Sequence, residues 1–184
     1  IVVREPYAFI ADINLGLRVI DISDASHPVE VAAVEKPKGM TDIALQGDFA
    51  YVTVKDHQHG QNRGVRVFDI SNPRSPVQVG ELILPHSPQT LAISGQYAVV
   101  PDLLEINEVG QPAALRIIDI SDPTQPTQVG ELDTTSLAPN AMAILASGNT
   151  VYLGDLHTGL HVIDLSNPNQ PVLLKSMQEL VGVY

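Results

Sequence analysis

Residues 115–132 read "LRIIDISDPTQPTQVGEL", and the chain says nearly the same thing three more times: "LRVIDISDASHPVEVAAV" at 17–34, "VRVFDISNPRSPVQVGEL" at 65–82 and "LHVIDLSNPNQPVLLKSM" at 160–177. The shared aspartate falls at Asp21, Asp69, Asp119 and Asp164, so successive copies are 48, 50 and 45 residues apart. A proline follows seven residues later each time, at Pro28, Pro76, Pro126 and Pro171. Periods of this length belong to propeller blades or solenoid units.

Between the anchors the sequence reads as short extended runs. In the second unit these are "IALQG", "FAYVTV", "GVRVFDIS" and "VQVGELIL", separated by Gly, Asn, Asp and Pro. β-branched and aromatic residues dominate, with no sustained 3.6-residue period. The third run is apolar on both phases, at Val65, Val67, Phe68 and Ile70. That suits a sheet covered on both faces, as a blade between two neighbours is. The reading is an all-β propeller of four four-stranded antiparallel blades, with units at about 1–42, 43–90, 91–143 and 144–184. A β-sandwich satisfies the strands but does not require so regular a repeat.

Tyr7 aligns with Phe49, which aligns Ile1 to Val3 with Ile43 to Leu45, the opening strand of a unit. Four whole units are therefore expected, either closed into a four-bladed ring or forming part of a larger one, since propellers commonly hold about four to eight blades. An open slice exposes apolar blade faces and calls for self-association or a partner chain. The reading leans to the larger ring.

"GLRVIDIS" followed by its proline and preceded by "YAFIAD", with "SGQYAVVPD" and "SGNTVYLGD" in later units, resembles the LVIVD-repeat proteins. The resemblance covers essentially the whole chain. It implies a β-propeller and a location at the cell surface or outside the cell, and it brings no catalytic motif.

A catalytic group is needed once, whereas a turn is closed once per blade. Asp21, Asp69, Asp119 and Asp164 are accordingly read as Asx-type turn residues, reinforced by Ser and by Pro28, Pro76, Pro126 and Pro171. Three residues before each aspartate stand Arg18, Arg66, Arg116 and then His161. Asp12, Asp102 and Asp155, at the ends of three second strands, are expected to bridge to them, with Val54 the exception. "Asp12-x-Asn14-x-Gly16" and its counterparts at 56–60 and 155–159 resemble the start of a calcium loop, but the distal bidentate Glu is missing and hairpin chemistry explains them.

Composition removes several functions. The chain has no cysteine, so disulfides, thiolate zinc sites and a cysteine nucleophile are excluded. Its net charge is −11 and it holds no basic run, which argues against nucleic acid. No apolar run reaches the ~18 residues of a membrane span, and the opening "IVVREPYAF" lacks the character of a signal peptide. No G-x-S-x-G or phosphate-binding glycine loop is present.

Function is expected where the copies diverge. The hairpin after the second strand is short in "DINLG" and "DLHTG", longer in "KDHQHGQNRG" and longest in "DLLEINEVGQPAA". It shares a face with the connections between blades. On that face the binding candidates are His57, His59, Arg63, His86, Asp102, Glu105, Glu108, Asp155 and His157. The expectation is a non-enzymatic binding or scaffold module for a protein or glycan partner, with no cofactor. The alternative is a metal-dependent hydrolase or lactonase, with Ca or Zn held by His57, His59 and His86 at the channel mouth.

Overall fold

The computed structural model describes residues 1–55, 62–103, 113–135, 137 and 141–178. The first blade is β1 (Val2–Arg4), β2 (Tyr7–Asp12), β3 (Gly16–Asp21) and β4 (Val29–Val34). The second is β5 (Met40–Gln46), β6 (Phe49–Val54), β7 (Gly64–Asp69) and β8 (Val77–Ile83). The third adds a short strand, β9 (Ser87–Pro88), before β10 (Ala92–Ser94), β11 (Tyr97–Leu103), β12 (Ala114–Asp119) and β13 (Thr127–Asp133). The fourth is β14 (Ala141–Ser147), β15 (Thr150–Asp155), β16 (Gly159–Asp164) and β17 (Val172–Met177). Each blade is an antiparallel meander in chain order, and β9 pairs with the far end of β11. No helix among the described residues is long and apolar enough to cross a membrane.

The core lies between blades. Phe9, Leu17 and Val19 of the first blade pack on Met40, Val52, Phe68 and Ile70 of the second. Tyr51, Val65 and Val67 of the second pack on Ala98, Val100, Ile118 and Ile120 of the third. Val99, Leu115 and Ile117 of the third pack on Val151, Leu153, Ile163 and Leu165 of the fourth. The third strands of the two middle blades are consequently buried along five of six residues, as expected for a sheet covered on both faces.

The end blades differ. In β3 the Leu17 and Val19 phase is buried while Arg18 and Ile20 are half-exposed. In β16 the phases are exchanged: His161 and Ile163 are buried while Leu160 and Val162 are half-exposed. Ile1, Val3, Leu145, Tyr152 and Leu174 stand in solvent. Among the described residues the first and fourth blades do not close on each other, as the reading of the chain as part of a larger propeller allows.

The repeated motif builds a double turn. Asp21 Oδ1 accepts from the Ser23 N–H at 3.0 Å, and Asp69, Asp119 and Asp164 accept from Ser71, Ser121 and Ser166 at 2.8 Å each. Three residues on, Asp24, Asn72, Asp122 and Asn167 close a second turn onto the N–H two positions ahead. Proline then sets the chain into the fourth strand. The residue between Asp and Ser donates its N–H back to the loop joining the first two strands, as Ile70 does to Asp48 and Ile120 to Gln96, both at 2.8 Å. The aspartate holds a turn, as its recurrence implied.

Candidate binding face

The hairpin after each second strand and the connection leaving each fourth strand meet through the backbone. Gly39 donates to the Ile13 carbonyl at 2.8 Å, Leu84 to Arg63 at 3.1 Å and Thr134 to Ala113 at 2.9 Å. Hairpins and connections therefore share one face. The two short hairpins are capped by their own carboxylates: Asp12 Oδ1 takes the N–H groups of Asn14 and Leu15, and Asp155 Oδ1 those of His157 and Thr158, all at 2.8 Å. Gly16 and Gly159 then turn with φ of 86° and 87°. These are hairpin turns, and the two backbone bonds hold Asp12 below the usual carboxylate range.

Asp102 is used differently. It is fully buried, and its Oδ2 accepts from Arg116 Nε at 2.6 Å and from the His86 backbone N–H at 3.2 Å. Burial pushes its pKa up, with Arg116 pulling the other way. Its Oδ1 has no hydrogen-bond partner. Arg116 continues to Glu131 at 2.9 Å and Gln128 at 3.2 Å, so one guanidinium ties the second, third and fourth strands of its blade.

The expected arginine–aspartate bridge thus forms in the third blade alone among those expected. Arg18 pairs with Glu30 at 3.3 Å, while Asp12 caps its own hairpin. Arg66 pairs with Glu81 at 3.3 Å, Val54 offering no carboxylate. His161 sits between hydroxyls, with Thr158 at 2.8 Å from Nε2 and Ser176 at 2.9 Å from Nδ1. Thr158 gives its proton to the Leu137 carbonyl, so Nε2–H donates to Thr158 and Nδ1 accepts from Ser176. Burial lowers the pKa of His161, against a pull from Asp155. The fourth-strand carboxylates were legible as the repeated "VGEL", which places Glu81 opposite Arg66 and Glu131 opposite Arg116.

Of the residues singled out for binding, His57, His59, Glu105 and Glu108 lie outside the described residues. Arg63 is half-buried beside the Leu84 connection. His86 is buried at 4% exposure within that connection, Asp155 is buried in its hairpin and His157 is exposed. Among the described residues no three His, Asp or Glu are gathered as a metal site.

A cleft of about 450 Å³ opens on the first and second blades, lined by Lys36, Pro37, Lys38, Asn62, Arg66, Gln78 and Glu81 and by none of the described residues singled out for binding. Two other clefts, between the second and third and between the third and fourth blades, repeat each other's register: Gln46, Gly47 and Phe49 with Gln96 in one, Ser94, Gly95 and Tyr97 with Asn149 in the other. Recurrence marks those two as architecture. The first is individual, because the later connections read "LPHSP" and "TTSLAP" where it has "EKPKG". Lys36, Lys38, Lys55, Arg63 and Arg66 make up half of the ten basic residues of the chain within 31 positions. No basic run exists in the sequence, but the fold brings Lys36, Lys38 and Arg66 from separate segments to one cleft, where Arg66 is paired with Glu81.

A sequence model of the LVIVD repeat matches residues 1–35, 39–82, 87–134 and 138–179. No curated protein matches the chain. Among solved structures, a functionally unknown protein from Desulfotomaculum acetoxidans is similar with a TM-score of 0.70 at 17% identity, over 94% of this chain and 55% of that one. The computationally designed protein Ika8 gives 0.68 at 13% identity, over 96% and 48%. Chaetomium thermophilum Sqt1, bound to the N-terminus of the ribosomal protein L10, gives 0.65 at 14% identity, over 96% and 49%. At these identities the likeness is one of fold, and the chain spans about half the length of each.

Proposed function

Because the chain belongs to the LVIVD-repeat family, we propose that it is a non-enzymatic binding module, at the cell surface or outside the cell, which docks an anionic segment of a partner protein on its hairpin-and-connection face. The observation behind this is the cleft between Lys36, Lys38 and Arg66. In a chain of net charge −11 a local cationic patch is a departure from the surrounding surface. It attracts carboxylates that the rest of the molecule repels. The two lysines are exposed, while Arg66 is buried and held by Glu81, so the lysines carry recognition and the arginine shapes the floor. Sqt1 offers a precedent in fold for a protein segment as ligand.

The test is a titration with a poly-glutamate peptide, a poly-lysine peptide and an oligosaccharide of uronic acids. Poly-glutamate should bind and weaken ~10-fold or more between about 50 and 500 mM salt, as screened charge contacts do. The Lys36→Glu/Lys38→Glu double variant should keep its circular dichroism and lose the peptide. Binding of the oligosaccharide alone transfers the partner to glycans, and binding of neither overturns the reading.

A further inference from the structure

The three interfaces inside the chain are built from one pair of faces. The side of a blade carrying Leu17 and Val19, Val65 and Val67, or Leu115 and Ile117 meets the side of the next blade carrying Phe68 and Ile70, Ile118 and Ile120, or Ile163 and Leu165. The bulged residue of the fourth strand, Val31, Val79 or Val129, packs into the same seam. At the ends of the chain one face of each kind is left over. Leu160, Val162 and Leu174 are the fourth blade's equivalents of Leu115, Ile117 and Val129; Leu174 is 59% exposed. Ile20 and Ile22 are the first blade's equivalents of Ile118 and Ile120, and both are half-exposed where their counterparts are buried.

We propose that two copies of this chain join head to tail, the fourth blade of each packing on the first blade of the other, to close one ring of eight blades. Both open faces are then covered by the surface the repeat itself makes for them. A two-fold arrangement uses the contact twice and leaves nothing exposed to polymerise. The chain covers 55%, 48% and 49% of the solved structures of similar fold, so it is shorter than each of them.

The seam between copies differs from the inner ones at one register. Gly80 and Gly130 stand where a Cβ would lie 2.2 Å from the Pro123 carbonyl and 2.0 Å from that of Pro168, in the turn of the following blade. The equivalent of both in the fourth blade is Lys175, paired with Val162 as Gly130 is with Ile117. By the same register Lys175 faces the first blade's turn in the other copy, at Ala25 between Asp24 and Ser26. Lys175 carries a side chain where those two seams have glycine, as Ala32 does in the first blade, so the seam between copies is wider at this register than the glycine seams.

Native mass spectrometry and sedimentation of the 184-residue chain over about 1–100 µM decide the matter. The expected species has twice the 19.8 kDa of the chain. Leu174→Glu, at a site exposed in the single copy, should weaken the pair ~100-fold or more while the blades stay folded. A monomer throughout, an open series of higher oligomers, or a pair indifferent to Leu174→Glu overturns the proposal. A monomer would assign the faces to blades outside these residues.

Discussion

At the residue scale, recurrence proved a sound guide to what the aspartates do and a poor guide to whom the arginines meet. Asp21, Asp69 and Asp164 are held below the usual carboxylate value of 3.8, first by the serine hydroxyl two residues ahead and then by its N–H. Because the folded pKa is the lower one, their stabilisation is complete above about pH 4 and drains away as the pH falls through the folded values. Replacing all three by Asn, which forms the same turn without titrating, should flatten the loss of stability below pH 4 in urea titrations. Asp102 works in the other sense. Burial raises its pKa, so the carboxylate costs stability as the pH rises, and Arg116 offsets that cost. Asp102→Ala removes the buried bond to Arg116, which keeps Glu131 and Gln128, and should destabilise by about 1–3 kcal/mol, whereas the Asp102→Leu/Arg116→Met pair should recover most of it. Additive losses would mean that the two side chains are not one unit. The sequence made this pair legible, but not why Asp12 and Asp155 decline the same bond. Each instead caps its own short hairpin through Oδ1, and the fourth blade has His161 where the others have arginine, so chain geometry and not recurrence decides the partner.

At the scale of the strand and the hairpin, what was legible is what the period of two and the turn residues dictate. β6 runs over the residues of "FAYVTV", and β7 and β8 end within two residues of the quoted runs, while β5 begins three residues earlier, at Met40. The short β9 was not legible, because Ser87 and Pro88 carry no strand signal and are extended only by pairing with Leu103 and Asp102. Equally hidden was the spacing of blades. Gly130 in β13 reads as an indifferent glycine, yet a Cβ there would meet the Pro168 carbonyl at 2.0 Å. Gly130→Ala should therefore cost about 1–3 kcal/mol by forcing the third and fourth blades apart. Ala32, the first blade's residue at that register, already has its Cβ, so Ala32→Gly should change stability little; equal costs at both sites would contradict the close-approach argument. The longest hairpin gives a prediction of opposite kind. Asp102, Leu103, Ala113 and Ala114 are buried, so a variant that keeps them and replaces residues 104–112 by a two-residue Asn-Gly turn should melt cooperatively near the parent temperature. If that hairpin takes part in docking, the same variant loses binding to the poly-glutamate probe.

For the whole molecule, stability is a sum over blades and the seams between them, as in other repeat proteins. A middle blade is held by two seams and an end blade by one, and the burial of the third strands follows that count: β7 and β12 are covered on both faces, β3 and β16 on one. Local opening should follow the same order. Amide exchange of the Leu174→Glu variant, taken as a single copy, should be slowest in β6, β7, β11 and β12 and faster in β2, β3, β15 and β16, by ~10-fold for each 1.4 kcal/mol that one seam contributes to opening. In the parent chain at concentrations where two copies join, the second seam reaches the end blades and the gradient should disappear. Uniform exchange in the single copy would show instead that the four blades open as one unit, and the seams would then not be separable contributions to stability. A gradient that persists in the joined pair would place the contact between copies elsewhere than on the two open blade faces.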